Sequence, residues 1–195
     1  LNAPASPNHG LVKQRLERNA TRQLRGLDFD HVVRSLLDSS RKAISTAHAG
    51  VVLIWDEHTG QLLPRAVSGY ADNEAMKRIV YHSGESLPGQ VFDANRPIRV
   101  DEVQFTRDYT FSTESQLLYR QATGGRLPIS SVLIPIQSGE QRVGVLVLDN
   151  FNTPAAFREE DETLLLSLAQ QVGLSLQNVR LVHTTQERAE QLEAL

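Results

Sequence analysis

None of the residues that commonly perform catalysis stands in a recognisable catalytic pattern in this sequence. The 195 residues include no cysteine, which excludes disulfides, thiol catalysis, thiolate metal sites and thioether-linked chromophores. Asp101 and Glu102 are adjacent, and neighbouring side chains of an extended chain point apart, so they are poor acid–base partners. A nucleophile elbow, a phosphate-binding loop and a zinc-protease helix are also missing from the sequence. We therefore expect no enzymatic activity.

Composition argues against binding to nucleic acid or to membranes. The formal net charge is −3 and the pI is about 6.1, and the arginines are scattered, so no basic surface for phosphates is predicted. No apolar run approaches the ~18 residues that a membrane-spanning helix needs. Residues 1–10 are polar and lack a signal-peptide core, and the sequence does not begin with methionine. We expect a cytoplasmic piece of a longer protein.

Helical periodicity marks the N-terminal end of the chain. After a linker at residues 1–10, apolar residues recur at spacings of three and four. They are Val12, Leu16, Ala20, Leu24 and Leu27. Such a narrow apolar stripe on an otherwise charged helix is typical of a seam between helices. A second helix is predicted to begin at Asp28 or Asp30, to carry apolar positions from Val32 to Ala47, and to end at Gly50.

The C-terminal part is predicted to be one long helix from Glu159 onward, with no proline and a single glycine, Gly173. Its apolar positions alternate spacings of three and four, as in a coiled coil. They are Leu165, Leu168, Val172, Ser175, Val179 and Val182. A core helix with a frayed tail is the alternative. We divide the chain into a linker and N-terminal signalling helix (1–27), a domain (28–182) and a coiled-coil or linker helix (183–195).

Two β-hairpins lie between these helices. The first joins strands at 51–55 and 61–68, and the second joins strands at 131–136 and 142–149. The second hairpin is apolar at nearly every position, which predicts a sheet covered on both faces. Shorter predicted elements are helices at 73–81, 89–94 and 113–122 and a strand at 97–100. This order is an α+β layout around an antiparallel sheet, with the terminal helices on one face and the irregular middle of the chain on the other.

A set of short motifs resembles the GAF domain family of signalling proteins. The matching segments are 50–56 (GVVLIWD), 84–92 (GESLPGQVF), 96–100 (RPIRV), 131–136 (SVLIPI), 144–150 (GVLVLDN) and 157–162 (FREEDE), followed by Leu164 and Leu165. Together they run in the family's order across residues 29–182. The resemblance implies a five- or six-stranded antiparallel sheet, with terminal helices on one face and short helices and loops on the other.

Some GAF domains that bind cyclic nucleotides carry an Asn-Lys-Phe-x-Asp-Glu-type signature. Its outline is matched by Asn150, Phe157, Asp161 and Glu162. The lysine is missing, so its ion pair with the aspartate cannot form. We interpret the remnant as a structural element that fixes the loop into the last helix. Arg158 stands where a Ser or Thr cap is commoner, so Thr153 or the nearby carboxylates must satisfy the first amides.

The resemblance also places a small-ligand pocket between the sheet and the irregular middle of the chain. The side chains expected to line it are Trp55, Tyr70, Ile79, Phe92, Phe105, Tyr109, Phe111 and Tyr119. Aromatic walls with a few polar groups suit a ligand cavity, although the same side chains can fill the space as core. Arginines that could pair with a ligand phosphate or carboxylate are Arg96, Arg99, Arg107, Arg120 and Arg126. His82, at the pocket rim, makes a haem-based sensor the less favoured possibility.

By this resemblance the chain is a regulatory sensory domain. It would bind an unknown small molecule and relay its state through the terminal helices to an output domain outside the chain, as in a two-component histidine kinase or a cyclic-dinucleotide enzyme. We expect a homodimer through those helices and no cofactor or metal. GAF relatives that reduce methionine sulfoxide need several cysteines, and this chain has none. The alternative function is a ligand-free dimerisation and relay module.

Overall fold

The computed structural model describes the backbone of residues 28–193 and the side chains of residues 28–176. The stripe predicted at residues 12–27 lies outside the described residues, as do the side chains of Val179 and Val182. The elements are α1 (28–43), β1 (Ala49–Asp56), β2 (Gln61–Ser68), α2 (Asn73–Lys77), β3 (Tyr81–His82), α3 (Ser86–Ala94), β4 (Ile98–Val100), α4 (Phe105–Asp108), α5 (Thr113–Ala122), β5 (Ser130–Ser138), β6 (Gln141–Asn150) and α6 (Glu159–Glu193).

The strands form one six-stranded sheet in the order β3-β2-β1-β6-β5-β4, and every neighbouring pair is antiparallel. The two predicted hairpins are β1–β2 and β5–β6, and they join where β1 pairs with β6 and Val51 faces Val147. Strands β5 and β6 are buried at nearly every position, because both faces of the sheet are covered. The predicted α+β class and its antiparallel sheet are confirmed.

Each face of the sheet carries its own hydrophobic core. The helix-side core packs α1 and α6 against the sheet; it includes Val33, Leu36, Leu37, Val52, Val132, Ile134, Leu146, Leu148, Leu165, Ala169 and Leu176. The middle-segment core packs the chain between β2 and β5 against the opposite face; it includes Val51, Leu53, Met76, Ile79, Val91, Tyr109, Tyr119, Leu133, Val145 and Val147. Alternate residues of each strand enter opposite cores, as the two-residue period of a strand requires.

Helix α1 is shorter than the apolar pattern predicted, since it ends at residue 43 rather than Ala47. Ile44 and Ala47 lie in the turn that follows, yet they still pack into the helix-side core, so the apolar pattern continued past the helix. Gly50 does not end the helix but lies inside β1. A Cβ at Gly50 would stand 2.6 Å from Leu148 Cδ2 and 2.8 Å from Leu37 Cδ1, so glycine lets α1 lie close to the sheet.

Two short elements in the middle of the chain differ from the prediction. Helix α2 ends at Lys77, and Tyr81 and His82 form the edge strand β3, which pairs with Leu62 and Gln61 of β2. Helix α4 covers a single turn that no periodicity in the sequence marked. Helix α3 begins at Ser86, three residues before the predicted start at 89. Such short elements are decided by packing against the sheet more than by their own periodicity.

Helix α6 packs directly onto β5 along its first turns. Leu165 is fully buried, and Leu168 and Val172 pack against the helix-side core. A Cβ at Gly173 would lie 1.6 Å from the backbone oxygen of Gln137, so the helix backbone touches the strand there. The first half of the predicted coiled-coil seam is therefore part of the domain core. Among the described residues, no helix combines the length and apolar character needed to cross a membrane.

The loop into α6 is held by Asn150. Its Nδ2 donates to Thr46 O at 2.7 Å, and its Oδ1 accepts from the backbone nitrogens of Asn152 and Thr153 at 2.8 and 2.9 Å. Asp161 Oδ2 accepts from the Arg158 nitrogen at 2.8 Å, so a carboxylate caps the helix start. These contacts support the interpretation that the signature remnant is a structural element.

Candidate functional site

A fully buried carboxylate lies on the middle-segment side of the sheet. Asp149, near the end of β6, is 1% exposed. Tyr70 Oη donates to its Oδ2 at 2.6 Å, and Ser131 Oγ donates to its Oδ1 at 2.6 Å. Ser131 stands directly opposite Asp149 in the β5–β6 register, so the sheet itself positions this pair. Two short hydrogen bonds from neutral hydroxyls therefore hold the carboxylate in place.

The electrostatic environment of Asp149 is unfavourable for a negative charge. Burial raises the pKa of its carboxyl group, and the hydrogen bonds from Ser131 and Tyr70 oppose that rise only in part. Among the described residues, no lysine, arginine or histidine forms an ion pair with Asp149. A buried charge without a partner is costly to stability. Groups of this kind are candidates for functional sites.

The four tyrosines of the chain surround this carboxylate. They are Tyr70, Tyr81, Tyr109 and Tyr119, and all are buried. Burial raises the pKa of each hydroxyl, and the nearby Asp149 charge raises it further. Tyr81 Oη donates to Met76 Sδ at 3.7 Å. The buried hydroxyl of Tyr119 has no hydrogen-bond partner among the described residues, which leaves a polar group unsatisfied in the core.

Four aromatic rings form a compact group beside the carboxylate, which we call the aromatic cluster: Phe105, Tyr109, Phe111 and Tyr119. The centroids of every pair of these rings are between 4.9 and 6.0 Å apart. Helix α4 supplies Phe105, helix α5 supplies Tyr119, and the chain between the two helices supplies the other rings. The short α4 turn therefore serves to bring residues distant in sequence into one cluster.

An open cleft of about 340 Å³ lies against the aromatic cluster. It is lined by Gln61, Arg78, Val80, Tyr81, His82, Glu85, Ser86, Thr110, Phe111, Ser112, Glu114, Ser115 and Leu118. Tyr81, Phe111 and Leu118 supply large apolar surface, and most of the other side chains are polar. Phe111 belongs both to the cleft and to the aromatic cluster, so its ring stands between open space and buried core. The volume is within the range of small-molecule sites.

The eight predicted pocket residues all lie in or against the middle-segment core. The four rings of the aromatic cluster come together, and Tyr70 joins them through Asp149. Ile79 is fully buried in the same core. Trp55 and Phe92 form a separate stacked pair, with centroids 4.7 Å apart. Of the eight, Phe111 borders the cleft.

The other predicted candidates are a histidine at the cleft and several arginines. His82 borders the cleft with an exposed side chain. Arg99 pairs with Glu162 and Arg107 with Asp108, so these two arginines already have partners. Sequence reasoning did not single out Asp149 as a site residue, although a carboxylate closing the apolar run of β6 was a visible signal. No group of three or more His, Asp and Glu side chains in the described part of the chain could hold a metal ion.

Comparison with known proteins identifies the family. The sequence model described as a GAF domain matches residues 26–177, and no curated protein matches the chain. Similar solved structures include the GAF region of a putative membrane protein from Geobacter sulfurreducens PCA (24% identity, 80% of this chain and 97% of that one, TM-score 0.61). A second is the blue-light absorbing form of the Thermosynechococcus elongatus PixJ GAF domain (14% identity, 86% of this chain and 95% of that one, TM-score 0.63). A third is the type II free methionine-R-sulfoxide reductase of Thermoplasma acidophilum (15% identity, 76% of this chain and 92% of that one, TM-score 0.60).

At these sequence identities the solved structures show a shared fold only. The ligands and reactions of those proteins are their own. The family match covers most of the chain, and the observed sheet order, with helices on both faces, agrees with it. GAF domains are generally sensory or regulatory domains rather than catalytic ones. This chain belongs to the GAF domain family.

Proposed function

We propose that this chain is a regulatory sensory domain that binds a small organic ligand in the middle-segment core. The observation that carries the proposal is the buried polar chemistry beside an open cleft. Asp149 has no cationic partner and the Tyr119 hydroxyl has no hydrogen-bond partner among the described residues. A domain built only for stability has no need of these groups, whereas a ligand with complementary atoms would satisfy both. We assign no catalytic step to them.

The proposed relay runs through the β5–β6 hairpin to α6. Asp149 faces the ligand side, while its neighbour Leu148 packs in the helix-side core. The next residue, Asn150, holds the loop that leads into α6. A ligand that moves Asp149 therefore pulls on the segment that sets the position of α6. Through α6, and through a dimer of the terminal helices, the change would reach an output domain.

The second candidate function is a ligand-free dimerisation and relay module. It is favoured by the aromatic cluster, whose rings already pack on one another. The dimer is tested by sedimentation of the chain with and without residues 183–195, where the shortened chain should associate less. Charges at Val172 are unsuitable for this test, because that side chain packs in the domain's own core. Haem binding through His82 is a third possibility, tested by a Soret band.

A thermal-shift screen tests the sensory function, because a ligand that binds only the folded state raises the melting temperature. The screen should include cyclic nucleotides, nucleobases, amino acids, aromatic acids and amines. Phe111→Ala should change the size of a ligand-induced shift, since it opens the boundary between the cleft and the cluster. Leu117→Ala, on the 66% exposed Leu117 of α5, is the matched control and should leave the shift unchanged. A flat screen for every class would favour the ligand-free module.

A further inference from the structure

We propose that Asp149 and the aromatic cluster form a binding site for a small organic ammonium ion. This inference rests on the proposed sensory function and specifies the class of its ligand. It depends on three features of the site: a buried carboxylate lacking a cationic partner, a group of aromatic rings beside it, and an unsatisfied hydroxyl in the same core.

The carboxylate sets the charge of the ligand. Asp149 accepts hydrogen bonds from two neutral hydroxyls, and no described side chain neutralises its charge. An anionic ligand would be repelled by this carboxylate, and a neutral ligand would leave the buried charge unpaired. A ligand ammonium group would supply both the missing positive charge and N–H donors. The ammonium group could also donate a hydrogen bond to Tyr119 Oη, which has no hydrogen-bond partner among the described residues.

The aromatic cluster is suited to the same cation. The faces of Phe and Tyr rings carry partial negative charge and attract cations within about 6 Å of the ring centroid. The rings pack directly on one another, with centroids 5.3 to 5.6 Å apart, so a small cation has to displace a ring in order to lie among them and would then contact several ring faces. A cation at this position would therefore be attracted both by the ring faces and by the carboxylate. A purely apolar ligand would gain from the rings alone.

Phe111 provides the entrance. Its ring borders the cleft on one side and packs on Tyr119 on the other, with the centroids 5.5 Å apart. The preceding residue, Thr110, donates its backbone N–H to Ser86 Oγ at 2.9 Å. Ser86 has φ +57°, a left-handed conformation that costs energy in a residue with a side chain. A rotation of the Phe111 ring, with this hydrogen bond as the fixed point, would connect the cleft with the carboxylate.

Protonation of Asp149 competes with the cation, so affinity should depend on pH. The groups that face this carboxylate are Tyr70, Tyr81, Tyr109, Tyr119 and Ser131, with His48 donating its backbone N–H to Asp149 O. The tyrosine hydroxyls stay neutral because burial raises their pKa values. The charge of Asp108, which acts on Tyr109, is paired with Arg107. Affinity for an ammonium ion should therefore rise with pH as Asp149 loses its proton.

Isothermal titration of the 195-residue chain with matched probes tests the inference. The cations are butylammonium and phenethylammonium, their neutral counterparts are 1-butanol and 2-phenylethanol, and their anionic counterparts are butyrate and phenylacetate. We expect at least one ammonium probe to bind about 10-fold or more tightly than its neutral counterpart, because a buried charge-assisted hydrogen bond is stronger than a neutral one. The anions should not bind. Affinity should increase as the pH is raised above the usual range of an Asp carboxyl group, because burial raises the pKa of Asp149.

Asp149→Asn should weaken the best ammonium probe about 30-fold, since it removes the charge and keeps the shape of the side chain. Tyr119→Phe should weaken it less, and Leu117→Ala, at a 66% exposed position of α5 outside the site, is the control with no change. If Asp149→Asn does not fold, the pH dependence and the probe series in the unaltered chain decide the question.

Three results would overturn the inference. If neutral or anionic probes bind as tightly as the cations, the ligand class is not an ammonium ion, although the proposed ligand-binding sensory function would still stand. Cations that bind equally well to folded Asp149→Asn would show that they occupy another site. If no probe binds and the broad thermal-shift screen is also flat, the sensory function itself fails together with this inference.

Discussion

The two faces of the sheet are built from different chemistry. The helix-side core is almost entirely aliphatic, and the residues that α6 contributes to it are leucine, alanine, valine and glycine. The middle-segment core contains all four tyrosines, several phenylalanines and the buried Asp149. Buried polar atoms without a hydrogen-bond partner among the described residues occur on both sides, such as Ser40 Oγ in α1 and Tyr119 Oη in the middle-segment core. What distinguishes the middle-segment side is the fully buried carboxylate of Asp149, which has no cationic partner among the described residues.

The difference between the two cores indicates that the helix side mainly stabilises the fold, whereas the middle-segment side carries the proposed ligand site. An aliphatic interface with close backbone contact transmits displacement, because dense cores are stiff. Among the described residues, the middle-segment core contains a carboxylate without a cationic partner and a tyrosine hydroxyl without a hydrogen-bond partner, and such groups reduce stability, as sites adapted to a ligand commonly do. The sheet separates the two, and strand β6 is shared by both since its alternate residues face opposite sides. The largest losses of stability are thus expected on the helix side, whereas substitutions around Asp149 should range from moderate losses, where a hydrogen bond is removed, to small gains.

The largest effect is expected for Leu165→Ala on the helix side. Leu165 is fully buried, and removing its side chain leaves a cavity between α6 and the sheet. The free energy of unfolding should fall by about 2–5 kcal/mol in urea denaturation. The neighbouring Leu164, 42% exposed, is the matched control, and Leu164→Ala should change stability by less than about 0.5 kcal/mol. Equal effects at the two positions would contradict the packing of α6 on the sheet.

Gly173→Ala should also destabilise the helix side. In an isolated helix this change is favourable by up to about 1 kcal/mol. Here the new Cβ would lie 1.6 Å from Gln137 O, so the helix must move away from β5. We expect a net loss of about 1–3 kcal/mol, as in other overpacked cores, measured by thermal denaturation. Gln171→Ala, at an exposed position of the same helix, should be neutral or slightly stabilising. A stabilised Gly173→Ala variant would show that the close contact is absent.

The helix side also shows how far sequence alone determines this fold. Both hairpins, α5 and the start of α6 were predicted because apolar periodicity and turn residues agree there. The end of α1 was missed because Ile44 and Ala47 stay buried after the helix stops. For Leu165 and Val172 the sequence left open a coiled-coil seam or a core helix, and the structure packs both residues in the helix-side core. A three–four spacing describes any helix with one apolar stripe, and only the fold decides whether that stripe meets a sheet or another helix.

On the opposite face, Tyr70→Phe should have an intermediate effect. It removes the 2.6 Å hydrogen bond from the tyrosine hydroxyl to Asp149 Oδ2 and leaves one carboxylate oxygen unsatisfied. We expect a loss of about 1–2 kcal/mol in denaturant unfolding at pH 7. Tyr81→Phe, which loses a weak contact to Met76 Sδ at 3.7 Å, is the control and should lose less than about 0.5 kcal/mol. If both variants behave alike, Asp149 does not depend on the Tyr70 hydroxyl.

Asp149→Asn should reveal the cost of the buried charge through pH. Burial raises the pKa of Asp149 in the folded state, so the folded protein binds this proton more tightly than the unfolded chain does. Stability from this group is full below the unfolded pKa and is lost as pH rises through the higher folded pKa. Relative to the natural chain, the Asn variant should thus gain stability progressively as the pH rises above the pKa of an Asp carboxyl in the unfolded chain, which is about 4. A stability difference that does not change with pH would mean an unshifted carboxyl.

Around this site the sequence predicted the aromatic residues better than the polar ones. Rings such as Phe105 and Tyr119 were placed in the pocket by their resemblance to a family pattern, and the structure brings them together. Asp149 was visible only as the end of an apolar strand. Its partners Tyr70 and Ser131 lie 79 and 18 residues away in sequence. A contact of that kind follows from strand register and loop path, which no local pattern encodes.

The smallest effect on stability is expected for Tyr119→Phe in the middle-segment core. The hydroxyl removed has no described partner, so its loss breaks no hydrogen bond and ends the burial of an unsatisfied polar group. The free energy of unfolding should stay within about 0.5 kcal/mol of the natural chain or rise by up to about 1 kcal/mol. Thermal and urea denaturation measure the change, with Tyr70→Phe as the contrasting variant of the same chemistry. A loss as large as that of Tyr70→Phe would mean that the Tyr119 hydroxyl already has a hydrogen-bond partner and is not available to a ligand beside Asp149.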